Sequence, residues 1–463
     1  MIRRLASRVV ATTQAEPLLS TGIVVAAVTT VIACARVAAQ AFVVGSAEGG
    51  WTYDYIRGIP SHTTVVIVIV SVAVGAAVRW LTASQDAPRE WAVVIAWIVL
   101  ATGCQALLLW VAPFTLEEIF RSEVANSFYA VTQRYRADSV LEWFGELRGH
   151  WPLHAHSNMP GKLMLLYALE LVSNDPAVLP WLLLAISNLG GVLLYLLVRD
   201  LFADRHVALY ALVLYLFVPA KLFFFPLMNT MTPVVALACL LLFERWGQRP
   251  TLWSGSAAAV SLYVLVFFEP IPLVIGALIA LLLARALMRG DISLKTLLSQ
   301  GLFVVVMFFG VIALVKEVFD FNLVDAFRQV GADAAEFNVI ENRPYRVWVW
   351  RNLVEFGFGV GVCQAALFWF AAADGWRTRA GSFLNEPIAL FSVGLIAMLL
   401  ALDLAGINRG EVIRLWIFLA CLFQVPAAYV CVRLRSRAAF ALVLILTVVQ
   451  SALAKATIGF VVP

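Results

Sequence analysis

The chain has 463 residues, 62% of them hydrophobic and 13% charged, with a mean hydropathy of +0.90. Soluble globular chains carry about 45–50% apolar and about 25% charged residues, so a single soluble core is excluded and a polytopic membrane protein is expected. The net charge of +4 comes from dispersed basic residues, not from the basic stripe that nucleic-acid binding requires.

A bilayer-spanning helix needs about 20 mainly apolar residues. In chain order such stretches fall near 20–45, 62–83, 91–113, 176–199, 207–226, 231–246, 252–268, 270–288, 298–316, 352–373, 383–404, 412–432 and 438–460. The expected fold is therefore an all-α bundle of about thirteen spans. The basic, polar segment from Met1 to Glu16 is followed by an apolar run too long for the h-region of a cleavable signal. Cys34, Cys104, Cys239, Cys363, Cys421 and Cys431 lie in or at the edges of apolar stretches, with no C-x-x-C pair. They read as small core hydrophobes.

Basic residues in short loops orient the spans. Arg3, Arg4 and Arg8 place the N-terminus in the cytoplasm, and Arg79 and Arg89 bracket an inner loop. The polar island that follows is then extracytoplasmic. Leu163 to Val172 is apolar but spans only about 15 Å at 1.5 Å per residue, so it is read as non-crossing. Arg199, Arg205, Arg245, Arg285, Arg379 and Arg433, among later basic residues, are then cytoplasmic. The chain divides into residues 1–90, a tail with two extra spans, and residues 91–463, a membrane domain with outer loops 114–175 and 317–351.

Leu116, Ile119, Phe120, Val124, Phe128, Val131 and Tyr135 recur at helical spacing, which predicts one amphipathic helix on the membrane surface. Glu123 and Glu117 fall near the two edges of its apolar face, and Glu118 points away. A carboxylate at such an edge suits a general base. The alternative is that these acids solvate a surface helix. A second short helix is expected around Ser139 to Leu147. Gly149 to Lys162 is then irregular, because Pro152, Pro160, Gly149 and Gly161 break regular backbone. His154 and His156 project oppositely on extended chain, so no metal is expected there. Lys162 either holds an anionic headgroup or snorkels to the interface.

These segments resemble the GT-C superfamily of membrane glycosyltransferases, in the style of protein O-mannosyltransferases and the aminoarabinose transferases of lipid A. Members carry an acid early in the first large outer loop, often Asp-Glu, followed by an aromatic. Here the match is Ser122-Glu123-Val124-Ala125-Asn126-Ser127-Phe128-Tyr129. Later they carry His-Pro-Pro-Leu-Gly-Lys or a variant, matched by His156-Ser157-Asn158-Met159-Pro160-Gly161-Lys162 and the apolar Leu163-Met164-Leu165-Leu166. The next span ends in a basic turn, here Leu197 to Arg205. The likeness covers roughly residues 91–235. It departs in having one Glu in place of the pair, Asn229 where many members have an acid, and two spans ahead of the one that feeds the loop.

Further along, Asn408-Arg409-Gly410-Glu411-Val412-Ile413-Arg414-Leu415-Trp416 opens the twelfth expected span. Glu411 and Arg414 are three apart and can pair on one helix face. This is either interfacial anchoring, with Trp416 in an aromatic belt, or a site where the Arg414 fork binds lipid phosphate. Lys221, Glu269, Arg343, Arg346 and Lys455 are further outer-edge charges.

The resemblance implies an inverting transferase that moves sugar from a polyprenyl-phosphate donor to a lipid, glycan or protein acceptor, without a cofactor. Glu123 is then the expected base, with Glu117 second. Arg414, Lys162 and His156 are expected at the donor phosphate. His154, Asn229, Glu269, Glu411 and Arg346 are expected to line the cavity or meet the acceptor. Two other classes stay open: a transporter or lipid flippase, and a non-catalytic assembly subunit. Transporters are often built of repeats with broken helices, and no repeat is evident here.

Overall fold

The computed structural model describes residues 16–81, 89–378 and 381–463. Arg3, Arg4, Arg8 and Arg379 lie outside the described residues. Among the described residues, ten helices are each at least 18 residues long and apolar enough to cross a membrane. Tyr345–Val360 and Val362–Thr378 meet that test only together and bend by 102° where they join. The joint is Gly361, whose φ of +105° lies where side chains are disfavoured. Two shorter apolar helices, Leu252–Phe268 and Ile417–Arg433, occupy the remaining expected positions. The bundle is thus a polytopic helical membrane fold, with ten helices that pass by length and composition, or eleven counting the bent pair.

The helix boundaries follow from local chemistry. Pro17, Pro180, Pro219, Pro233 and Pro387 sit in first turns, where the missing N–H costs nothing. Asp204, Ser293 and Ser436 cap following helices by accepting backbone N–H groups, as Asp and Ser do at this position.

Arg205–Phe224 is fully enclosed by other helices, whereas Leu294–Phe319 buries only Val304. The first marks the axis of the bundle and the second its lipid-facing rim. Pro17–Ala38 packs on Val362–Thr378, and Ser61–Leu81 packs on Arg437–Thr457. The first two long helices are therefore packed into the same bundle as the rest of the chain. All six cysteines are free and buried.

The helix ends sort into two sets. At one end Glu90 pairs with Arg199 at 2.7 Å, Arg245 with Asp200 at 3.3 Å, and Arg433 with both Glu16 and Asp374 at 3.0 and 3.6 Å. At the other end the segment after the first long helix folds into a small hairpin, Val44–Ser46 paired antiparallel with Trp51–Tyr53. This hairpin is a departure from an all-α chain. Gly49 closes against Trp348, whose Nε1 donates to the Gly49 carbonyl at 2.9 Å. A Cβ on Gly49 would lie 2.8 Å from that ring.

The chain leaving the hairpin is tied to distant segments. The Gly459 N–H donates to the Asp54 carbonyl at 2.9 Å, and the Ile56 N–H donates to Thr457 at 3.0 Å. Arg57 donates to the carbonyls of Ala456 and Val111 at 2.9 and 2.6 Å.

The segment after Trp110 differs from the single amphipathic helix expected there. It forms two helices, Leu116–Arg121 and Ser127–Arg134. Thr115 and Glu118 close a capping box that starts the first. Ser122 is extended, with ψ of 125°, and stops it. The Asn126 amide then bonds to the Phe120 carbonyl at 3.2 Å and holds the break. Glu123 sits in this break, so its expected place at the edge of a helix face is corrected. Val124, expected on the apolar face, is exposed. The expected Ser139–Leu147 helix is likewise two, Ala137–Glu142 and Phe144–Leu147. Most of the Leu163–Val172 piece lies in a ten-residue helix, Gly161–Glu170, with Leu171 and Val172 in the turn after it. These short helices share an apolar core of Phe120, Phe128, Val131, Trp151 and Leu163 with Phe321 and Val330 from the second outer segment. Helices this short are marginal alone, and it is this shared core that fixes them.

Candidate functional site

A cavity of about 1250 Å³ lies at the hairpin end of the bundle. Ligand pockets commonly measure about 300–1,000 Å³, so this one can hold two reactants or one long one. Its walls come mainly from the hairpin, the 114–175 segment, the Leu323–Ile340 helix and residues 407–415, with further lining from residues 224–229, 269–274 and 459–462. Ile271, Val274, Ala401 and Leu402 contribute apolar lining from the hairpin-side ends of two long helices. The site therefore joins polar connecting segments to the apolar bundle.

Three largely buried charges of the wall, Arg343, Glu411 and Arg414, are in mutual contact. Glu411 Oε1 accepts from Arg343 at 2.8 Å and Oε2 accepts from Arg414 at 2.5 Å. Burial alone would raise the Glu411 carboxyl, but the two guanidiniums outweigh it and hold the group below the usual carboxylate range. Glu411 has φ of +59° and follows Gly410 at +82°. The Asn352 carboxamide fixes this turn, accepting from the Gly410 N–H at 3.0 Å and donating to Asp403 at 3.1 Å. A Cβ on Gly410 would lie 2.8 Å from the Trp348 ring.

His154 lies beside this cluster, with its ring nitrogens 3.3 and 3.4 Å from Arg414 Nη1. Burial and then the Arg414 charge pull its pKa down to about 3, against Glu411, which raises it. His154 is thus a neutral ring at neutral pH. Unfolded histidine titrates near 6.5. Above that value both states are neutral; below it the unfolded chain binds a proton that the folded chain does not. Stability is therefore lost as pH falls from about 6.5 toward 3. Between pH 7 and pH 5 the thermal midpoint of the wild type should fall more steeply than that of His154→Asn. Equal slopes would show that His154 titrates freely in the folded protein.

The other residues anticipated from sequence fare differently. Glu123 lines the cavity but pairs with Arg134 and is about half exposed. Glu117 is not part of the cavity wall; it pairs with Arg121 at 3.0 Å one turn along its own exposed helix. His156 lines the wall, and its Nδ1 lies 2.8 Å from the Arg148 carbonyl. Its Nε2 lies 3.3 Å from Asp333, which also pairs with Arg148. Asn229 and Glu269 both line the cavity. Arg346 does not: it is exposed in the first turn of its helix, and Arg343, just before that helix, makes the buried contacts instead.

Lys162 is a correction of substance. Its side chain is wholly buried, 2.9 Å from Glu269 and 2.7 Å from Asn158 Oδ1, and it is not part of the cavity wall. Neither of its expected roles, snorkelling or binding an outside headgroup, fits a cation sealed by an internal carboxylate. Thr232 donates to the same Glu269 at 2.5 Å. Gly161 explains the approach. A Cβ there would lie 2.5 Å from the Phe267 carbonyl oxygen and 2.6 Å from Phe268 Cα. Backbone cannot rotate away as a side chain does, so only glycine brings the two helices this close. The Gly161-Lys162 pair thus docks the outer segment onto the end of Leu252–Phe268.

Sequence reasoning missed Asp54. It lines the cavity, and its carboxylate accepts from the Thr52 hydroxyl at 3.1 Å. No ion pair is made to it among the described residues. The available signal is its position in the polar stretch directly after the first apolar helix. Among the described residues no group of three or more His, Cys, Asp and Glu is arranged to hold a metal.

No family model and no curated protein matches this chain in sequence.

Proposed function

We propose that the protein is an integral-membrane glycosyltransferase of GT-C type that uses a polyprenyl-phosphate sugar on the extracytoplasmic side. One observation carries the reading: one large cavity is lined both by Asp54, which makes no ion pair among the described residues, and by the Arg343–Glu411–Arg414 cluster at the end of an apolar bundle. A lipid-linked donor needs that combination, because its phosphate must be met by cations while its prenyl chain stays in lipid. Reading the two shorter apolar helices and the bent pair as crossings gives thirteen spans and puts every cavity segment on one side. The basic loops then lie opposite, which the positive-inside rule makes cytoplasmic.

In this reading an acceptor hydroxyl gives its proton to a carboxylate and its oxygen attacks the anomeric carbon. The bond from that carbon to the phosphate oxygen breaks, and polyprenyl phosphate leaves with its charge, giving inversion. Asp54 is the favoured base. Glu123, the choice from sequence, is engaged by Arg134, so its carboxylate is less free to meet an acceptor hydroxyl. Arg343 and Arg414 stabilise the leaving phosphate, and neutral His154 beside them adds no competing charge. Lys162 and Glu269 hold the wall in place.

The test is a transfer assay with the purified protein in lipid nanodiscs. A panel of polyprenyl-phosphate hexoses and pentoses is supplied, and release of polyprenyl phosphate is followed. Release that depends on an acceptor supports the reading. Binding without release across the panel, together with passage of lipid between leaflets in proteoliposomes, would replace it with the flippase reading.

A further inference from the structure

We infer that Glu411 is a resident anion in the phosphoryl site of this cavity, and that a prenyl-phosphate ligand binds by exchanging its phosphoryl group for that carboxylate between Arg343 and Arg414. The inference rests on the proposed donor class and names the side chain that must yield to it.

Three observations support exchange. First, the carboxylate lies where an oxyanion would lie, one oxygen on each guanidinium at 2.8 and 2.5 Å. Two arginines in this relation form a fork well matched to phosphate. Second, Glu411 is a non-glycine residue in the left-handed region, φ +59°, in a turn where Gly406 and Gly410 are also at positive φ. Such backbone persists only when its surroundings hold it, and here the guanidiniums are part of that hold. Releasing the carboxylate lets the turn relax. Third, the arginines retain donors for a ligand. The Nε atoms of Arg343 and Arg414 are buried and have no protein partner among the described residues. Arg343 keeps its place through Nη1 to the Arg409 carbonyl at 2.9 Å and by lying 5.1 Å from the Trp51 ring centre, so it stays anchored when Glu411 moves. The apolar lining at Ile271, Val274 and Leu402 gives a prenyl chain a path from the same cavity into the bundle's lipid-facing side.

Exchange predicts an unusual sign. Removing an acid from a paired site normally weakens it, but removing a competing anion strengthens ligand binding. Farnesyl phosphate and inorganic phosphate are titrated by calorimetry into the protein in nanodiscs. Glu411→Gln should bind farnesyl phosphate about tenfold tighter, equivalent to about 1.4 kcal/mol. Its thermal midpoint should also rise more on ligand addition than that of the wild type. Unchanged or weaker binding by folded Glu411→Gln would overturn the exchange. Should that variant fold poorly, Arg343→Lys keeps the charge and the Glu411 pair but loses the fork. It should bind farnesyl phosphate several-fold more weakly, and wild-type affinity would remove Arg343 from the site. Inorganic phosphate binding as tightly as farnesyl phosphate would overturn the lipid assignment. Tighter binding by Glu411→Gln without sugar transfer by the wild type would leave the exchange standing and defeat the transferase reading. Transfer by the wild type with unaltered Glu411→Gln affinity would do the reverse.

Discussion

Asp54→Asn should lower sugar transfer by about 10²–10⁴-fold, the usual contribution of a general base, while donor binding stays near the wild-type level. The substitution keeps the shape of the side chain and its contact with Thr52. The position of residue 54 is set by its backbone, through the Gly459 N–H bonded to its carbonyl at 2.9 Å, so folding should survive. Glu123→Gln should cost far less, because its carboxylate already serves Arg134. Turnover by both variants in nanodiscs, normalised to folded protein, separates the two acids. A large loss in Glu123→Gln with near-normal Asp54→Asn would return the role to Glu123. Near-normal turnover in both would take the base from either acid.

Lys162→Met should destabilise the fold by about 3–5 kcal/mol, the range for removing one partner of a buried ion pair. The Lys162 and Glu269 side chains are 0% and 4% exposed, so the carboxylate left behind keeps only the Thr232 hydroxyl and the edge of the cavity to offset its burial. The double variant Lys162→Met, Glu269→Leu removes both charges and should recover much of that loss, since apolar replacement of a whole buried pair is often neutral. Denaturant unfolding of the wild type, both single variants and the double variant gives the coupling directly. Additive losses would mean that the two charges do not depend on each other. A Lys162→Met protein as stable as the wild type, yet unable to bind a prenyl phosphate, would restore Lys162 to the donor site.

The amino-acid sequence by itself determined the class of this protein and the places where its helices run. Apolar stretches about a membrane thick, bounded by Pro, Ser, Asp and Gly, leave the chain little choice but helix, because burial in lipid demands internal hydrogen bonding. Burial of the six cysteines followed from the same composition. The outer segments were legible as polar and irregular, and Glu411 and Arg414 were legible as a pair because three residues on one turn face the same way.

What the tertiary structure alone decided is which charges meet. Helical spacing ran from Leu116 to Tyr135 without interruption, yet the chain breaks at Ser122 because Asn126 satisfies the Phe120 carbonyl and the two halves find separate places in a shared core. That break relocates Glu123. Arg343 and Arg346 are indistinguishable as outer-edge cations. Only the packing of the turn before Tyr345 against Glu411 buries the first and leaves the second in the open. Lys162 reads as an interfacial lysine until Gly161 docks against Phe267 and Phe268 and sets Glu269 beside it. Asp54 gains its place from bonds to Gly459, at the far end of the chain. Local sequence fixes backbone propensity over a few turns. Contacts between residues hundreds of positions apart depend on how the whole bundle closes, and the cavity is made of such contacts.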